Sequence, residues 1–143
     1  MAILIPMALT GWAAIVDLRT REIPNEFPAF IFVSGTLMSL AGLLPISFPL
    51  SLAGAFLALG LGCILFRIGA WGGGDVKLLV GLGAWLGPAG LLALFLWTGL
   101  LGAVLAIISA WRGKKDFALA PAIAGGLIVH LLWPSTLTAL LAG

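Results

Sequence analysis

The sequence predicts an all-α, polytopic membrane protein: a single domain over residues 1–143, built as a bundle of about six transmembrane helices with the N- and C-termini on the extracytoplasmic side. Three observations predict it. Hydrophobic residues make up 62% of the chain and charged residues 8%, more apolar surface than a soluble domain can hide. Charges and helix breakers divide the chain into six apolar segments. All seven Lys and Arg then fall in or beside alternate junctions between those segments. Backbone groups in hydrocarbon must pair within their own segment, which helices achieve. The period-two alternation of a membrane β-barrel is absent. The net charge of +2, without a basic stripe, argues against a nucleic-acid partner.

The segments are residues 2–16, 27–44, 50–66, 76–87, 90–110 and 118–133. The first has no Lys or Arg before its apolar run, so it reads as a retained span rather than a secretory signal. "LPISFP" separates the second segment from the third. The stretch from Val76 to Trp111 is too long for one crossing: as a single helix it would reach about 54 Å, against a hydrocarbon core of about 30 Å. "LGPAGLL" supplies the break, with Gly87, Pro88 and Gly90 expected in a tight hairpin turn.

Arg19 and Arg21 lie between segments one and two, Arg67 and Lys77 flank the junction of three and four, and Arg112, Lys114 and Lys115 lie between five and six. By the positive-inside rule this face is cytoplasmic. Trp71 and Trp111 are expected at the inner interface, and Trp85, Trp97 and Trp133 as anchors in the outer half.

The five acids fall on the same face. Glu22, Glu26 and Asp116 sit in loops and read as solvated. Asp17 ends the first segment, and Asp75 opens the short fourth one in "AWGGGDVKLL". Ionisable groups at membrane depth are costly and face water or one another. Taken singly, Asp75 is a candidate helix N-cap and Asp17 a juxtamembrane charge paired with Arg19 or Arg21. Taken together, two carboxylates at matched depth share a proton, one staying ionised and the other protonated. That pair suits general base and general acid work on a peptide bond. Gly72, Gly73 and Gly74 are expected to form a permissive loop along which an extended peptide can lie. Lys77, two residues past Asp75, points elsewhere on a helix and is a candidate contact for an acidic partner group or a lipid phosphate. Two rival readings stand beside this one: a small proton-coupled transporter or channel, and a non-catalytic assembly subunit in which the acids only cap helices.

These residues carry a family resemblance. "GGGD" fits the G-x-G-D signature of intramembrane aspartic proteases at Gly72, Gly74 and Asp75. "GGGDVKLL" followed by "GAWLGP" resembles the type IV prepilin peptidases. So does "DLRTREIPN", where the aspartate precedes an Ile23-Pro24-Asn25 turn opening the second helix. The resemblance covers nearly the whole chain, and the size is similar to the small peptidases serving Flp/Tad-type pili. It implies a bacterial inner-membrane aspartic endopeptidase that removes the short basic leader of prepilin-like precursors at the cytoplasmic face. It implies Asp17 and Asp75 as the catalytic pair, with no cofactor and no metal, and prepilin precursors and membrane lipids as partners. Larger members carry paired C-x-x-C motifs and often N-methylate the new terminus. This chain has one cysteine, Cys63, so peptidase activity is expected without methyl transfer.

Pro121 in "ALAPAIAGG" matches only the last proline of a family motif near the sixth helix. It reads either as a wall of the active site or as a proline in a helix's first turn. Cys63 reads as a small buried apolar residue. His130 reads as a histidine hydrogen-bonded to a neighbouring helix. The small residues of "GAFLALGLGC" and "GLLGAVLA" read as packing faces.

Overall fold

The computed structural model describes residues 4–20, 24–113 and 120–132, with backbone only at 17, 18, 20 and 120. The described residues form five helical elements: α1 (Leu4–Thr20), α2 (Glu26–Leu40), α3 (Phe48–Arg67), α4 (Gly73–Trp111) and α5 (Ala120–Leu132). They contain no strand. Two of them, Phe48–Arg67 and Gly73–Trp111, are long and apolar enough to cross a bilayer, and the other three are shorter apolar helices.

The 39-residue α4 is not straight. Gly87 sits at φ 67°, ψ −178°, a conformation that only glycine adopts readily. The Trp71 and Phe95 rings nevertheless stack, with centroids 5.0 Å apart and planes 13° from parallel. On an unbroken helix, residues 24 positions apart would be about 36 Å apart. α4 therefore doubles back at Gly87 into two antiparallel legs, 73–86 and 88–111. The expected hairpin is real but narrower than anticipated. Gly87 alone is non-helical, while Pro88 and Gly90 already belong to the second leg, where a proline in the first turn loses no hydrogen bond.

α4 is the hub. It packs most extensively on α3, then on α2 and α5, while α1 leans mainly on α5. Leu78, Leu79 and Leu82 of the first leg and Leu91 and Leu94 of the second are fully buried with Ile31 of α2, Ala58 of α3, Ile123 of α5 and Ala13 of α1. The opposite surfaces stay apolar: Trp12, Phe30, Phe56, Ile64, Leu100 and Ile107 are all exposed. A polypeptide with so much outward apolar surface is built for lipid rather than water.

The legs of α3 and α4 approach backbone to backbone. A methyl group on Gly54 would overlap the Gly83 carbonyl oxygen, and one on Gly83 would meet the Gly54 carbonyl. Such contacts substitute for hydrophobic driving force between helices in a bilayer. Ser51 Oγ donates to Ala84 O at 2.7 Å beside the crossing. The packing role of "GAFLALGLGC" holds for Gly54, Ala55, Ala58 and Gly62, which are buried, whereas Gly60 is exposed.

Several expectations need correction. Trp85 is not an interfacial anchor: it is 3% exposed, lies over Gly35 and donates from Nε1 to Ile31 O at 2.8 Å. A buried indole N–H requires such an acceptor, and α2 supplies it where glycine makes room. Cys63 is exposed rather than buried, on the outward face of α3. α1 continues to Thr20, so Asp17 lies inside the helix rather than at its end. Arg21, Glu22, Ile23, Lys114, Lys115, Asp116 and Trp133 lie outside the described residues.

Candidate active site

The bundle has two poles. At one, Gly87 faces Ile46 and Leu50, so the loop between α2 and α3 caps the fold of α4. At the other, the turn before α2 (residues 24 and 25), the end of α3, the start of α4 and the end of its second leg converge. Two contacts establish this. Lys77 Nζ donates to Asn25 Oδ1 at 2.7 Å, joining α4 to the turn before α2. Ala70 and Trp71 share a cavity with Gly99, Gly102, Ala103 and Ala106 of the second leg. The described basic residues Arg19, Arg67, Lys77 and Arg112 all belong to this second pole, near the ends of their helices.

Asp75 is the third residue of α4. It is not the N-cap; Gly72 holds that position in an extended conformation, φ −80° and ψ 158°. The half-buried Asp75 carboxylate reaches back so that Oδ2 accepts the Gly72 N–H at 3.1 Å. This satisfies one of the otherwise unpaired amides of the first turn, and a negative charge there suits the helix dipole. The glycines differ from the expected loop. Gly73 and Gly74 are helical, and none of the three has positive φ, so an unusual backbone is not what glycine provides here. A side chain on Gly72 would instead crowd Asp75 Oδ2.

One turn beyond Asp75 the same strip of α4 carries the buried Leu78, Leu79 and Leu82. On α1 the buried strip runs Pro6, Thr10, Ala13, and Asp17 takes the next position of that strip. Ala13, Leu78, Leu79 and Leu82 belong to one core cluster. Along their helices, positions 17 and 75 each lie about one turn, or about 6 Å, beyond that cluster toward the same pole. α1 and α4 touch directly. The Asp17 side chain is outside what is described, and so is Ile23.

The other singled-out residues separate. Pro24 and Asn25 form the exposed turn before α2. Asn25 occupies the N-cap position without capping; its side-chain oxygen is given to Lys77. Pro121 is the second residue of α5 and partly exposed, which is the first-turn reading. His130 is buried, with Nε2 against Gly90 of the second leg, remote from Asp75 along the bundle. Sequence reasoning missed the Lys77–Asn25 bond and the Trp71–Phe95 stack. Both join residues far apart in the chain. Only the Trp directly before the glycines hinted at a wall there. That wall bounds a cavity of ≈ 220 Å³ next to Gly72, floored by Gly99, Gly102, Ala103 and Ala106.

Comparison with known proteins gives a consistent picture. The model of the type IV leader peptidase family matches residues 3–107. The chain is 31% identical over 147 residues to a protein named prepilin leader peptidase/N-methyltransferase from Burkholderia pseudomallei (strain K96243), covering 95% of this chain and 47% of that one. It is 30% identical over 114 residues to the protein of the same name from Neisseria gonorrhoeae, covering 76% and 40%. To the one from Pectobacterium carotovorum subsp. carotovorum it is 36% identical over 113 residues, covering 73% and 39%. The chain thus spans less than half the length of these relatives. No solved structure matches it.

Proposed function

Because the chain belongs to the type IV leader peptidase family, we propose that it is a membrane-embedded aspartic endopeptidase that removes the leader of prepilin-like precursors, with Asp17 and Asp75 as its two catalytic carboxylates. The observation that supports the reading is position along the helices: 17 and 75 each lie about one turn beyond one core cluster, toward one pole, on helices that touch. Two carboxylates in such a place repel, so one holds a proton while the other is ionised. The ionised member takes a proton from water as the water oxygen attacks the scissile carbonyl carbon. The protonated member donates a hydrogen bond to the carbonyl oxygen. When the C–N bond breaks, a carboxyl proton passes to the leaving amine. The reaction consumes one water and needs no group beyond these residues.

The proposal extends to topology. With α4 counted as two legs, the chain crosses the bilayer six times, and the basic pole faces the cytoplasm by the positive-inside rule. The termini are then extracytoplasmic, and the site faces the cytoplasmic side of the inner membrane. The precursor enters extended past Gly72, with a small residue seated against Gly99 and Gly102 beside Trp71. Methyl transfer forms no part of this proposal.

The Asp75–Gly72 hydrogen bond also favours a second reading, in which Asp75 only starts a helix. Asp75→Asn separates the two, since the amide oxygen still accepts the Gly72 N–H but cannot act as a base. Membranes containing the wild type, Asp17→Asn or Asp75→Asn are incubated with a prepilin. Cleavage by the wild type and its loss by at least about 10²-fold in both variants, with helix content unchanged, is the expected result. Retained cleavage in either variant rejects the two-carboxylate mechanism. No cleavage by the wild type rejects the peptidase assignment.

A further inference from the structure

On the flank of α4 away from Asp75, a groove of ≈ 400 Å³ runs between α2, α3 and the first leg, lined by Pro28, Ala29, Phe32, Leu59, Val76 and Val80 and closed at one end by Asn25 and Lys77. Its walls are apolar and its rim is polar. The rim has a definite chemistry. Asn25 Oδ1 is taken by Lys77 Nζ, which leaves the amide only its NH₂ donors, and Lys77 keeps two further N–H donors. The rim therefore presents donors and a positive charge. Among the described residues, no ion pair neutralises Lys77. The nearest acid along α2, Glu26, is exposed and lines no part of the groove.

The geometry points to an anionic phospholipid as the occupant, its phosphate on Lys77 and Asn25 and one acyl chain along Phe32, Leu59 and Val80. The charge complementarity favours a phosphate, because acceptor oxygens match a rim made only of donors. The size favours a chain over a protein helix. The groove follows α2 for about 10 Å, from Asn25 to Phe32, whereas a helix is itself about 10 Å across and would need on the order of 1,000 Å³ over three turns. The position is consistent with the bilayer: Lys77 stands at the basic pole, and the groove descends from it between lipid-facing helices. This site is independent of the peptidase chemistry, since Lys77 lies two residues, or about 200° of helix, from Asp75.

The chain in a neutral detergent is titrated with dioleoyl phosphatidylglycerol, with dioleoyl phosphatidylcholine, and with glycerol 3-phosphate, and bound lipid is counted by native mass spectrometry. Phosphatidylglycerol is expected to bind preferentially. Lys77→Gln should weaken it about fivefold, the size of one juxtamembrane lysine's attraction to an anionic lipid, and Lys77→Arg should restore it. Ala29→Phe fills the groove without altering charge and should also weaken it, which decides the matter should the Gln variant fold poorly. Glycerol 3-phosphate should not compete, because the acyl chain supplies part of the affinity. Equal binding of both lipids, or phosphatidylglycerol binding untouched by Ala29→Phe, overturns the proposal. So does displacement by glycerol 3-phosphate, which would make it a phosphate site alone. Displacement by a synthetic apolar helix that cross-links at residue 29 would reassign the groove to a protein partner.

Discussion

The two poles of the bundle are held together by different forces. Around Gly83 and Gly87, helix backbones meet directly, and Ser51 and Trp85 tie α3 and α2 to their neighbours through buried hydrogen bonds to carbonyls. Around Asp75 the elements meet through side chains: a lysine on an asparagine, a tryptophan on a phenylalanine, a carboxylate on an amide. Backbone contact leaves no room for relative motion, because a shift of a few tenths of an ångström already clashes. Side-chain contacts at an exposed rim can break and reform as a substrate enters. A site that must admit an extended peptide between helices belongs at the second kind of pole, anchored by the first.

This contrast can be broken from either end. The largest effect is expected at the glycine crossing. Gly83→Val drives a branched side chain into the Gly54 carbonyl and should cost about 3 kcal/mol or more, seen as loss of folded protein in a detergent-unfolding titration and with it all cleavage. Trp71→Ala should invert the pattern. It removes a half-buried ring whose stack is worth about 1 kcal/mol beyond its buried area, so the unfolding midpoint should fall less than in Gly83→Val, while leader cleavage falls about tenfold, or about 1.4 kcal/mol, through loss of the cavity wall. Equal losses of stability in the two variants would erase the distinction between the poles. Ser51→Ala should be the mildest, at about 0.6 kcal/mol in the same titration, with cleavage unaffected, because the bond to Ala84 lies at the far pole.

Much of the architecture was legible because its signals are local. Apolar runs, the Gly87–Pro88 break and the basic junctions each act over a few residues, and the helices appear where those signals put them, shifted by one to four residues at their ends. The errors have a common origin. Trp85 resembles an interfacial anchor in sequence, and only the glycine at position 35 of a different helix makes it a core residue. Cys63 sits among small apolar residues that are buried, yet the helix turns it outward; in a bilayer both faces of α3 are apolar, so hydropathy carries no inside–outside signal. The glycines before Asp75 look like a loop by composition, yet the helix starts among them because the carboxylate caps it.

The chain's own order of residues determined that it is helical, apolar on its outside, folded back at Gly87 and basic at one pole, since hydropathy, backbone strain and charge are properties of short segments. The tertiary structure alone decided which helix faces meet. Giving Asn25 to Lys77 and forming the groove beside them required residues 52 positions apart to come within 2.7 Å. No local preference encodes such a meeting; it follows from the packing of α2 and α3 on α4.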